Sequence, residues 1–201
     1  MIVTISNLFG CGAVAAAAHI AQALGYELVD RQLPVVVAKR LQITEVQAQA
    51  QDEKGRSLGA RLLNSLELAT PEAGVLTYGQ NFDEEFVREV QRAVREFAAR
   101  GDVVIIGRAA GAILGRRADV LRVFMYAPRE WRIARVAEEY ALDDKAAAAE
   151  VDRIDRARRA HLKDWYDVEI GSPAIVDLAI DVATFGVEGA AKLVISAAHG
   201  R

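Results

Sequence analysis

The chain has 201 residues, 52% of them hydrophobic, and 25 lysines and arginines against 28 aspartates and glutamates give it a net charge of −3. That is enough apolar content for one full core, and the slightly acidic balance argues against a general nucleic-acid or membrane-surface binder, which carries a basic excess. The single cysteine, Cys11, excludes an internal disulfide and a cysteine-rich zinc site and suits a reducing, cytoplasmic setting.

Taken in chain order, residues 2–5 read as a buried strand that ends at Ser6 and Asn7 without a basic leader, so neither a signal peptide nor a membrane span is predicted. A glycine-bearing turn follows at Gly10, Cys11 and Gly12, then an alanine-rich helix. Glycines let backbone N–H groups close around an anion, and the helix presents its positive dipole end, so Gly10, Cys11, Gly12 and Ala13 form a candidate phosphate loop. The pattern G-x-x-x-x-G-K-[ST] would put a lysine on the β/γ-phosphates and a hydroxyl on Mg²⁺. Here Ala13 and Val14 follow Gly12, and Asn7 stands at the first glycine.

A short strand at 27–29 ends at Asp30, and a long helical region spans 33–100. Gly55, Gly59 and the stretch 70–79, with Pro71, Gly74 and Gly79, interrupt it in the manner of a flexible or ligand-contacting segment. Helix 82–100 places Phe86, Val87, Val90, Val94 and Phe97 on one face, a packing pattern. Strands at 103–106, 121–126 and 178–182 complete an alternation that predicts an α/β fold with a parallel five-stranded sheet flanked by helices.

Several charged side chains fall where chemistry would need them. Arg108 follows Gly107 at the carboxyl edge of the third strand, where open α/β sheets bind ligands; it reads either as a phosphate ligand or as a cap paired with a helix carboxylate. Arg132 and Arg135, three apart after the fourth strand, could face phosphates. The run 152–163 holds Arg153, Arg156, Arg158, Arg159, His161 and Lys163, and Asp155 shares a helix face with Arg158. A solvated charged helix explains that run as well. Asp30 reads as a site carboxylate or as a helix N-cap, and Cys11 as a reactive thiol at a helix N-terminus or as a small residue in place of serine. His19, His161 and His199 are scattered, so no metal site and no Ser-His-Asp arrangement is predicted.

Five stretches, TISNLFGCG, GYELVDRQL, VVIIGRAAGAIL, VLRVFMYAPREWRIARV and DRIDRARRAH followed by DLAID, resemble in order and spacing the cytidylate kinase-like family of P-loop nucleoside-monophosphate kinases. The resemblance covers essentially the whole chain. It implies a three-layer P-loop kinase fold in a single domain, with an NMP-binding helical segment at about 31–80 and a basic LID at about 143–172. It implies ATP with Mg²⁺ as the donor to CMP, dCMP or a related nucleotide, with no nucleic-acid or membrane partner, in a monomer or homodimer. It further implies that Arg108 holds the acceptor phosphate, that Asp155 and Arg158 bind the acceptor nucleotide, and that Asp30 lies near the catalytic centre, with Arg40 reaching the same phosphate.

The chain departs from the family at Ala13 and Val14, where members carry a glycine-glycine-arginine or lysine-bearing loop, and at Gly111, where the GRxAD stretch carries an aspartate. Losing one preorganised charge costs about 3–4 kcal/mol, a hundred- to a thousandfold in rate. Phosphoryl transfer rests on positioning and charge neutralisation, so Asp30, Arg132 and Arg153 stand as catalytic candidates, and Asp30, Arg153 or Arg156 could take over the missing roles. The alternative is a catalytically impaired kinase-like protein that binds a nucleotide or protein partner as a sensor or scaffold.

Overall fold

Every residue of the run Val103, Val104, Ile105 and Ile106 is buried, as a parallel strand covered on both faces requires. The computed structural model describes residues 1–30, 32–45, 48 and 80–201. Its elements in chain order are β1 (Ile2–Asn7), α1 (Ala13–Leu24), β2 (Glu27–Val29), α2 (Gln32–Leu41), α3 (Gln80–Arg100) and β3 (Val103–Ile106). They continue with α4 (Ala110–Leu114), β4 (Val120–Tyr126), α5 (Arg129–Tyr140), α6 (Asp144–Tyr166), β5 (Leu178–Asp181) and α7 (Val182–His199).

The strands form one sheet in the order β2-β3-β1-β4-β5, and every pairing is parallel. The connection from β1 runs to β2 on one side, and the connection from β3 crosses to β4 on the other. The adjacent carboxyl ends of β1 and β3 are therefore the switch point at which such sheets open a crevice. On one face Val3, Ile5, Val104, Ile106, Val123 and Met125 meet Ala16, Ala17 and Ile20 of α1 and Ala190 and Val194 of α7. The alanines of α1 are good helix formers and leave room for close approach to the sheet. On the other face Ile2, Val29 and Ile105 meet Leu33 and Val37 of α2 and Phe86, Val90, Val94 and Phe97 of α3. The apolar face predicted for α3 is thus the buried one, each large side chain contributing about 1.5–3 kcal/mol.

The predicted strands are all present, β2 and β3 with the predicted bounds and the other three with shifted ends. β1 runs on through Ser6 and Asn7 because they pair with Phe124 and Met125. β5 stops at Asp181 because that carboxylate accepts the Ala183 N–H at 3.0 Å and starts α7. The acidic first turn of α6 has a like origin: Asp143 accepts the Ala146 N–H at 2.7 Å. The interrupted stretch predicted around Gly55, Gly59 and 70–79, and with it most of the 31–80 segment, lies outside the described residues.

One charge is buried in the middle of β4. Arg122 is almost fully enclosed; its Nε and Nη2 donate to Asp177 at 3.0 and 2.6 Å, and its Nη1 donates to the Ala174 carbonyl at 2.7 Å. The guanidinium holds the Asp177 carboxyl down at about 2 against an ordinary 3.8. A depressed carboxylate stabilises the fold fully above its unfolded pKa and loses that contribution as pH falls through the folded value. Acid titration of the folded protein is therefore expected to remove about 2 kcal/mol between pH 4 and pH 2 through this group, and urea melts of Asp177→Asn should lack that step.

Candidate functional site

The turn after β1 can be built only with glycine at two positions. Gly10 and Gly12 take φ of 79° and 81°. A Cβ on Gly10 would lie 2.6 Å from Val136 Cγ2 and 3.1 Å from the Arg132 carbonyl oxygen. Gly10→Ala combines left-handed strain with this overlap, so a loss on the order of 3 kcal/mol is expected in thermal unfolding; a shift under 1 kcal/mol would mean that α5 yields freely. Gly12 caps α1 and offers no side-chain hydrogen bond. Val14, in the place of the Mg²⁺ hydroxyl, is 54% exposed on the first turn of α1.

Cys11 is a core residue. Its thiol lies 3.5 Å from the Met125 carbonyl, and burial pushes it up despite the opposing Ala13 N–H. The lowered pKa expected at a helix N-terminus is thus outweighed by desolvation.

The loop has no cation of its own, and three arginines approach it from α5 and α6. A Cβ on Gly12 would stand 3.4 Å from the guanidinium carbon of Arg135, which lies over the Trp131 ring, 5.7 Å from its centroid. Arg132, only 4% exposed, donates from Nε to the Ala127 carbonyl at 3.0 Å and from Nη1 to the Phe9 carbonyl at 3.0 Å and to Asp155 Oδ2 at 2.8 Å. Arg158 donates to the Asn7 carbonyl at 2.7 Å. Asp155, 2% exposed, accepts the Phe9 N–H at 2.9 Å. The apolar residues Val136, Ala147 and Val151, packed with Phe9, hold the two helices against the loop.

The other expected residues divide. Gly107, Arg108 and Ala109 follow β3 with φ of 74°, 53° and 53°, three successive left-handed residues of which two are not glycine. The Arg108 guanidinium reaches the Asp30 carbonyl at 3.4 Å and its carboxylate at 4.0 Å, joining two residues that the sequence placed at one edge. Glu89 and Glu96, seven apart on one face of α3, engage Arg40 from both sides and raise its pKa, chiefly through the hydrogen bond to Glu96. Arg153 is held by a bidentate pair with the buried Glu150 at 2.7 and 2.8 Å. Arg40 is thus engaged by carboxylates of α3 and Arg153 by a carboxylate of its own helix.

Gly111 has a packing reason. A Cβ there would come 3.2 Å from the Ile175 carbonyl and 3.4 Å from Thr4 Oγ1, so a side chain would require the segment that Arg122 and Asp177 pin over the sheet to shift by a few tenths of an ångström. Sequence reasoning missed that pair. Its signal was an arginine inside the apolar run of β4, which demands a buried partner.

A glycine turn at the switch point of a parallel sheet, with arginines approaching it from the helices after the fourth strand, defines a P-loop kinase fold. The sequence profile of the cytidylate kinase-like family matches residues 2–184, and the chain belongs to that family. A cytidylate kinase of Natronomonas pharaonis is 26% identical over 200 residues, 99% of this chain and 90% of that protein. Among solved structures, a protein of Eubacterium ventriosum superposes with a TM-score of 0.70 at 18% identity, over 100% of this chain and 99% of the other. Shikimate kinase of Acinetobacter baumannii in complex with shikimate gives a TM-score of 0.53 at 12% identity, over 98% and 91%; both structures bear on the fold alone. No helix among the described residues is long and apolar enough to cross a membrane.

Proposed function

We propose that this protein is a nucleotide kinase that transfers the γ-phosphoryl group of ATP to CMP, dCMP or a related nucleoside monophosphate. The observation that carries the reading is the strained stretch Gly107, Arg108 and Ala109. Two non-glycine residues held left-handed cost about 1–3 kcal/mol each, and such strain persists where it serves a site. Here it sets Arg108 beside Asp30 on the same sheet edge as the glycine turn, as an acceptor-phosphate ligand would need.

On the donor side, the N–H groups of the turn and of the first turn of α1 supply the anion cradle. Arg135 beside Gly12 supplies the charge that Ala13 and Val14 do not. Mg²⁺ would arrive on the ATP phosphates and needs only one or two protein carboxylates. Among the described residues no group of three metal-ligating side chains gathers, and Asp30 is the carboxylate that would hold the ion, which when bound neutralises charge on the transferring group. Arg132 keeps the loop in place from a buried position, and Asp30 and Arg108 are the residues that touch the reacting groups.

Calorimetric titration of ATP·Mg²⁺ and of CMP into the full chain, followed by coupled ADP release with both present, tests the reading. Saturable binding of each and CMP-dependent ADP release are expected. Val14 in place of the metal-binding hydroxyl supports the second reading, an impaired nucleotide-binding protein, and CMP binding without ATP binding or turnover would decide for it.

A further inference from the structure

The Asp-x-x-Arg pair of α6 offers its side chains to the loop before the glycines. Asp155 Oδ1 accepts the Phe9 N–H at 2.9 Å, Arg158 Nη1 donates to the Asn7 carbonyl at 2.7 Å, and the Arg158 guanidinium carbon lies 5.9 Å from the centroid of the Phe9 ring. Arg132 links the two by bonding both Asp155 Oδ2 and the Phe9 carbonyl. The backbone of residues 7–9 is thereby fixed at one N–H and two carbonyls by side chains 123 to 151 positions away. This is the stretch where the phosphate-loop pattern has its first glycine and this chain has Asn7.

We propose that Asp155 and Arg158 are positioning residues for the donor phosphates: they shape residues 7–9 so that the N–H groups from Gly10 onward face a nucleoside triphosphate. The inference rests on the nucleotide-kinase reading above and deepens it, because it assigns the basic helix to the donor side of the site. A carboxylate seated on a loop N–H fixes where that N–H cannot serve the ligand, so the triphosphate is placed downstream of Phe9, over Gly10 to Val14. It also makes the loop depend on α6, since a helix that moves away takes two of the three backbone ties with it.

The test uses Arg158→Ala and Arg158→Lys in the full chain, with ATP·Mg²⁺ and CMP titrated separately by calorimetry. Arg158→Ala is expected to weaken ATP binding roughly tenfold, the factor expected of one charge-assisted hydrogen bond, and to leave CMP affinity within about twofold. Arg158→Lys keeps a donor for the Asn7 carbonyl and should recover most of the loss, which a change in bulk packing would not produce. Asp155→Asn, read the same way and with its folding checked by circular dichroism, should move ATP affinity in the same direction. Loss of CMP affinity in Arg158→Ala, or no change for either ligand, overturns the assignment while leaving the kinase reading intact. A wild-type chain that binds neither nucleotide overturns both.

Discussion

Replacing Arg132 with alanine is expected to destabilise the folded protein by about 3–5 kcal/mol, the usual consequence of leaving a buried carboxylate without its partner. Arg132 and Asp155 are both nearly inaccessible to water, and their 2.8 Å contact joins α5 to α6. The deletion also leaves the Phe9 and Ala127 carbonyls without the donors they have at 3.0 Å. What makes the effect large is the stranded charge rather than the lost attraction, and a double variant separates the two. Arg132→Met with Asp155→Leu removes both charges and should lie closer to wild type than Arg132→Ala does. Its residual cost is the Phe9 N–H, which loses its acceptor at about 1–3 kcal/mol, together with the two carbonyls that lose their donors as in the single variant. Urea unfolding followed by circular dichroism measures all three proteins. A single variant within 1 kcal/mol of wild type would mean that water or another cation reaches Asp155 readily.

Arg108→Ala is expected to act on catalysis instead. Removing one preorganised cation from a phosphoryl-transfer site costs about 10²–10³ in rate, and the loss should fall on kcat/KM for the acceptor nucleotide, with affinity for ATP little changed. Lysine should restore only part of it, since a point charge does not reproduce a bidentate guanidinium on a phosphate. Arg108→Gly adds a second readout. Relief of the left-handed strain at φ 53° is worth about 1–2 kcal/mol and offsets the lost contact with Asp30, so stability should hold while activity falls. An arginine that merely ties the sheet edge to Asp30 would leave activity unchanged in the same variant.

These two arginines show how differently the sequence speaks about a site. Arg108 was legible because its position is local: it is the second residue after a buried strand, and the carboxyl edge of a parallel sheet follows from the strand itself. The glycine turn was legible for the same reason, and so was the apolar face of α3. Arg132, Asp155 and Arg158 were legible as a charged cluster on helices, but their destinations were not. Helical spacing says which side chains share a face; it does not say that the face meets Asn7 and Phe9 at the far end of the chain. Arg40 illustrates the same limit, since any arginine at the end of α2 could serve a phosphate, and only the packing of α2 on α3 sets Glu89 and Glu96 around it.

The sequence by itself determined the strands, the parallel sheet, the phosphate-type turn and the absence of a loop cation, because each follows from hydrophobic runs, glycine positions or residue identity over short stretches. The tertiary structure alone decided which charges meet. It sank Cys11 into the core, narrowed the space at Gly111 with the segment held by Arg122 and Asp177, and brought α5 and α6 onto the loop. The physical reason is that a buried charge is tolerated only with a partner, and the partner is chosen by the packing of elements far apart in sequence, which no local pattern encodes.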